Sequence, residues 1–315
     1  MAPPPTQPAL LLLAGGGAMG PYQLGVVAKF LKTFPHARFT VAAGVSVGAL
    51  ISGMFAFFRD QREAVDEALR MFLAGCDSRL FFGVPNPLAV CCGKSVLTSR
   101  NIERDLKQTC TRERYMQYDS GAVAPHGARP FVAAEYTSLD SGQTDRVTNA
   151  ASYDSFVDGL MASSALPSVF EAQDVGGEWC VDGSIRHMLP SVPPEAKDAA
   201  FAHILVVLCH PPGPLGPVHG TASARDVANR TAEIVCRDNL RADVVRMWNE
   251  VRELTAKYKT PPNIFFTHPT EPVWHPLWLG RKDVVALFDM GRATPMHPAT
   301  PPSEPAPRAP LRLVV

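Results

Sequence analysis

Apolar residues first gather in a tight run, Leu10-Leu11-Leu12-Leu13, which leads into three glycines. A short continuous run beside turn formers predicts a strand buried on both faces. From Pro21 to Lys32 the period changes. Leu24, Val27, Ala28 and Leu31 fall at i, i+3, i+4 and i+7, the stripe of an amphipathic helix. A second strand is predicted over Phe39 to Ala43. Val47 to Phe58 is apolar nearly all round, as in a helix buried on most faces, and its Gly48, Ala49, Ser52 and Gly53 permit close packing. Gln61 to Phe72 is a further amphipathic helix. Strand, helix and strand in succession predict a sheet of parallel strands.

Downstream, Leu80 to Leu97 breaks the rhythm, being apolar yet rich in turn formers; it reads as a lid or substrate wall, or as an ordinary packed loop. Helices are predicted over Arg100 to Cys110, over Ser152 to Ser164 (ended by the Leu166-Pro167 step) and over Arg225 to Tyr258. The last helix is Lys282 to Met290. Strands are predicted at Phe131 to Tyr136, Glu178 to Val181, His203 to Cys209 and Ile264 to Thr267. Seven prolines fall in the last 23 residues, where periodicity ends, so 293–315 reads as a disordered tail. The expected organisation is a short tail over 1–8, one α/β domain over 9–292 with helices on both faces of a largely parallel sheet, and the proline-rich tail.

Composition narrows the partners. Thirty basic residues balance thirty acidic ones, so net charge gives no argument for nucleic acid. Seven cysteines, odd in number and without a C-x-x-C pair, fit reduced thiols rather than a disulfide framework. No basic segment precedes the apolar run Ala9 to Ala14, which is too short for a signal-peptide core or a membrane span. The expectation is a cytoplasmic chain with peripheral contact to membranes left open.

Two glycine-built turns carry the candidate chemistry. Gly44-Val45-Ser46-Val47-Gly48 is a G-x-S-x-G between a strand and a helix, a corner that holds a serine hydroxyl up for reaction. Gly15-Gly16-Gly17-Ala18-Met19-Gly20 stands at the other strand–helix junction, where unpaired N–H groups meet the positive end of a helix dipole. A nucleophile beside a cradle for negative charge suggests acyl transfer. Ser46 needs a base, either a histidine or a carboxylate acting directly. Ser46…Asp182…His187 or His210 satisfies the α/β-hydrolase order formally. That fold places several strands before its elbow, and only one fits before Phe39, which disfavours a triad. Asp182-Gly183 by itself is a turn signal. A nucleotide-loop reading of the triple glycine lacks the G-K-[ST] of a P-loop and a ribose-binding acid.

Met161-Ala162-Ser163-Ser164-Ala165-Leu166-Pro167-Ser168-Val169-Phe170 followed by Val181-Asp182-Gly183-Ser184 closely resembles the segment around the catalytic aspartate of patatin-like phospholipases. The glycine-rich loop and the serine elbow resemble the other motifs of that family, and the resemblance spans about Leu10 to Gly291. It is with the single-domain, bacterial type. It implies a three-layer α/β/α fold and a Ser46–Asp182 dyad with no catalytic histidine. It further implies an oxyanion site at Gly15, Gly16, Gly17, Ala18 and Gly20, with Gly44, Gly48, Gly183 and Ser184 shaping the two turns. The substrate implied is a lipid ester, and neither metal nor organic cofactor is needed. Thioesterase or transacylase activity on the same dyad, or a silent scaffold binding lipid or protein, are the alternatives. Two positions depart from the family pattern. Met19 stands where Arg or Lys is frequent, and Ser184 stands where glycine or alanine follows Asp-Gly.

Overall fold

The computed structural model describes residues 6–77, 95, 97–117, 129–167, 169–212, 224–270 and 280–299. Within them lies one mixed sheet of eight strands. Strand β1 (Gln7–Leu13) is flanked by β2 (Ala37–Val45) and β7 (His203–Val207), both parallel to it. Outside these run β3 (Phe131–Ser138), parallel to β2, and β8 (Asn263–Thr267), parallel to β7. Strands β4 (Thr144–Thr148) and β6 (Glu178–Asp182) pair antiparallel with β3, and β5 (Gln173–Val175) antiparallel with β6.

The continuous apolar character of the parallel strands follows from covering both faces. Ala9, Leu11 and Leu13 point into one core, while Leu10 and Leu12 point into the other. Each fully buried leucine contributes about 1.5–3 kcal/mol. The larger core takes α1 (Gly20–Thr33), α2 (Val47–Met54), α3 (Gln61–Asp77), α4 (Arg100–Thr109), α5 (Arg112–Met116), α6 (Tyr153–Ser163) and α8 (Arg281–Ala293). The smaller core is closed by α7 (Ala224–Thr255) through Leu240, Val244, Met247, Trp248 and Val251. The architecture is a three-layer α/β/α sandwich with a mostly parallel sheet.

Several expectations change at their edges. The buried helix after Ser46 ends at Met54; Phe55 to Phe58 continue as buried turns. Helix α3 runs on to Asp77, beyond the expected Phe72. Strands β4 and β5 had no signal, being short, polar and at the antiparallel margin of the sheet. Gln7 and Pro8 belong to β1 instead of a leading tail. At the other end, the reading of a tail from 293 onward is corrected for its first residues. Ala293 ends α8, Lys29 donates to the Thr294 carbonyl at 2.6 Å, and the Ala299 N–H donates to the Ile264 carbonyl at 2.7 Å. This strap covers the edge of β8, which would otherwise expose unpaired backbone. Residues 300–315 lie outside the described residues, as does nearly all of the 80–97 segment read as a lid or loop.

Candidate active site

The register along β3 brings the two candidate residues together. One edge of β3 carries β2 as far as the pair Val45–Glu135, and the next residue, Tyr136, pairs with Asp182 of β6. The opposite edge is taken by β4 across these same positions. Strands β2 and β6 therefore meet end to end on one side of β3. Ser46 follows the tip of β2 and Asp182 ends β6.

Ser46 sits at φ 56° and ψ −127°, the sole non-glycine with positive φ among the described residues. Such a conformation costs on the order of 1–3 kcal/mol and persists only where the surroundings enforce it. Here the Ser46 N–H donates to Ser163 Oγ at 2.9 Å, and the Ser163 hydroxyl donates onward to the Glu135 carbonyl. The Ser46 carbonyl accepts from the N–H groups of Ala49 and Leu50, starting α2. Close backbone approach does the rest. A Cβ on Gly48 would lie 2.5 Å from the Leu13 carbonyl oxygen and 2.7 Å from that of Ala14, and one on Gly44 would overlap the Gly48 carbonyl. Glycine at both positions lets α2 pack against the strand tips. Gly48→Ala is expected to destabilise the fold by about 1–3 kcal/mol, because the contact is with backbone that cannot rotate away. Urea denaturation measures this, and a loss under about 0.5 kcal/mol would mean that the helix shifts without strain.

Ser46 Oγ donates to Asp182 Oδ2 at 2.6 Å, while Asp182 Oδ1 accepts the Ser184 N–H at 2.8 Å. Both partners are buried, Asp182 at 1% exposure. Burial raises the Asp182 carboxyl from 3.8 to about 6, against the lowering effect of its hydrogen bonds from Ser46 and Ser184. A carboxylate so placed is a base of useful strength near neutral pH, in contact with the proton it would take.

The glycine turn lies alongside. Leu13 pairs with Gly44 in the β1–β2 register, and a Cβ on Gly15 would stand 3.3 Å from that of Ser46 and 3.2 Å from that of Ser184. The Gly15 N–H is committed to the Met188 carbonyl at 2.8 Å. A single 3₁₀ turn follows over Gly17–Met19, with Gly17 at φ 51°. The leading N–H groups of such a turn have no partner within it. Gly17 is exposed and Gly16 and Ala18 are half-buried, so the turn itself lies at the accessible surface. Gly20 packs under Phe72 and Val47, and Gly183 against the Glu135 carbonyl, both supporting the turns from beneath. Ser184 fits the Asp182 turn without displacing it. Met19 is buried in the larger core, so no side-chain charge stands there.

Neither formal triad histidine stands between Ser46 and Asp182. His187 Nδ1 is 2.9 Å from Asp243 Oδ1 on α7. His210 follows β7, which β1 separates from β2, whereas Asp182 lies on the β3 side. Sequence reasoning gave no individual role to Ser163, whose fully buried hydroxyl fixes the Ser46 backbone. It also passed over Asp243, which reads locally as a solvated helix position. A cavity of about 750 Å³ bounded by Gln7, Phe201, His203 and Tyr258 opens at the opposite, N-terminal end of the parallel strands, away from Ser46. Among the described residues no group of side chains could hold a metal, and no helix is long and apolar enough to cross a membrane.

Comparison of the sequence with curated proteins finds no match. Among solved structures, the crystal structure of VipD from Legionella pneumophila is similar at 11% identity and a TM-score of 0.35, over 93% of this chain and 68% of that one. Residues 11–192, well over half of the chain, match the family model for patatin-like phospholipase. That span holds the glycine-rich turn at 15–20, the serine corner and the Asp182 turn. The chain belongs to the patatin-like phospholipases, a family of lipid hydrolases.

Proposed function

We propose that the protein is a serine hydrolase of lipid carboxylic esters working through a Ser46–Asp182 dyad and an acyl-serine intermediate. The observation that carries this reading is the 2.6 Å hydrogen bond from a strained, buried serine hydroxyl to a carboxylate whose affinity for protons is raised. In this mechanism Ser46 Oγ attacks the ester carbonyl carbon and its proton passes to Asp182 Oδ2. The N–H groups of Gly16, Gly17 and Ala18 receive the oxyanion, aided by the N-terminal dipole of α2. Collapse of the tetrahedral adduct breaks the bond to the leaving alcohol, which takes the proton back from Asp182. Water then attacks the acyl-serine while Asp182 again accepts a proton; the second adduct collapses, Ser46 Oγ leaves and takes that proton back from Asp182, and the fatty acid is released. With Met19 turned into the core, oxyanion binding rests on backbone donors and not on a cationic side chain.

The reading is tested by covalent labelling with a fluorophosphonate probe, which needs an activated serine. Labelling is expected at Ser46 and in no Ser46→Ala protein. Its rate should climb as pH rises through about 6, since only ionised Asp182 can accept the serine proton. A flat rate between pH 5 and 8 would remove Asp182 as the base. An unlabelled wild type would favour a scaffold that binds lipid without turnover.

A further inference from the structure

Residues 187–192 run as a strap from the Asp182 turn across the smaller core, and one face of α7 grips this strap at almost every step. Asp243 Oδ2 accepts the N–H groups of Met188 at 2.6 Å and Leu189 at 3.2 Å, and Asp243 Oδ1 meets His187 Nδ1. One turn along, Arg246 donates to the Leu189 carbonyl at 2.7 Å and to Ser191 Oγ at 2.9 Å. Another turn on, Glu250 accepts the Val192 N–H at 2.7 Å. Asp243, Arg246 and Glu250 stand at i, i+3 and i+7, and the arginine also bonds to both carboxylates. Asp243 is 3% exposed, so its charge is justified by partners and not by solvent.

The strap's own output points at the candidate site. The carbonyl of Met188, whose N–H Asp243 holds, accepts the N–H of Gly15. Gly15 begins the glycine turn, lies beside Ser46, and is followed by the half-buried or exposed residues Gly16, Gly17 and Ala18. A single peptide residue therefore links a buried carboxylate on α7 to the glycine turn. Helix α7 lies wholly outside residues 11–192, the span matched by the family model.

We propose that Asp243 is a positioning residue, fixing the Gly15–Ala18 turn through Met188 so that its N–H groups are aimed at the charge developing on the substrate. Its catalytic consequence rests on the hydrolase reading above; its structural consequence does not. A misplacement of about 1 Å in such a turn can cost on the order of 10²-fold in rate. The interaction is made with the transition state, so the loss belongs in kcat and not in KM.

Amide hydrogen exchange at Gly15 and hydrolysis of p-nitrophenyl butyrate, measured on the same proteins, separate the two consequences. In Asp243→Ala, exchange at Gly15 should rise at least about tenfold and kcat should fall about 10²-fold, with KM within about threefold. Asp243→Asn keeps an oxygen for the Met188 and Leu189 N–H groups and should show a smaller change in both. It is the protein to read if the alanine variant does not fold. Val251→Ala, a cavity in the α7 core, controls for general destabilisation; it should lower the melting temperature and leave kcat unchanged. Unchanged exchange at Gly15 in the folded Asp243 variants would overturn the link. Faster exchange with an unchanged kcat would overturn the positioning role. Faster exchange in a protein whose wild type hydrolyses no ester would uphold the link and count against the hydrolase reading alone.

Discussion

Ser46→Ala and Asp182→Asn are each expected to lower kcat/KM for p-nitrophenyl butyrate and palmitate by at least about 10³-fold, both proteins remaining folded. The two losses should be far from additive. A serine without its base and a base without its serine leave the same thing behind, namely the backbone donors and substrate binding. The double variant is therefore predicted to be little worse than either single one. Asp182→Asn is close to an isosteric change, because an amide can still accept the Ser184 N–H on one atom and offer its NH₂ to Ser46 Oγ on the other. What it loses is the capacity to take a proton. Activity that survived this substitution would point to a histidine base and would sink the dyad.

The same substitution should act in the opposite direction on stability. A carboxyl moved by burial from 3.8 to about 6 withholds about 3 kcal/mol from the fold once it is ionised. Its favourable contribution is complete below about pH 4, where the group is protonated in both folded and unfolded chains, and is lost as pH rises through 6. Asparagine carries no such penalty. Asp182→Asn should thus be more stable than wild type by about 1–3 kcal/mol at pH 8, with the gain vanishing at pH 4. Ser46→Ala should be less stable than wild type at pH 8, since it strips a buried carboxylate of one donor. Urea unfolding at the two pH values reads both effects. A dead but stabilised Asp182→Asn would identify a site that sacrifices stability for reactivity; an unstable one would make Asp182 a structural carboxylate.

Much of the fold was legible because local pattern and global burial agree. The run Leu10 to Leu13 and the segment His203 to Val207 are apolar without alternation, which is what a strand covered on both faces requires. The stripe of α1 and the small residues of α2 likewise report the surfaces they meet. Strands β4 and β5 were not legible. Their sequences, TDRVT and QDV, carry no apolar period, and they become strands only because β3 and β6 offer free edges for pairing. The residues following α8 were misread in a similar way. Proline-rich sequence argues for disorder, yet Thr294 to Ala299 are held by Tyr22, Lys29 and the backbone of β8.

The sequence by itself determined the two glycine turns, since close backbone approach and positive φ demand particular residue types at particular spacings. It also marked Ser46, because the corner that presents a nucleophile is built from its immediate neighbours. Family resemblance pointed to Asp182, but tertiary structure alone decided its contact with the serine and the remainder of the candidate site. Asp182 lies 136 positions from Ser46 and reads locally as a turn; only the register of β3 sets it against the serine, and only burial raises its affinity for protons. Ser163 and Asp243 are further cases, silent in sequence because their partners are distant backbone groups. A local motif can specify the shape of a corner, but the field and contacts around a buried charge are summed over the whole molecule.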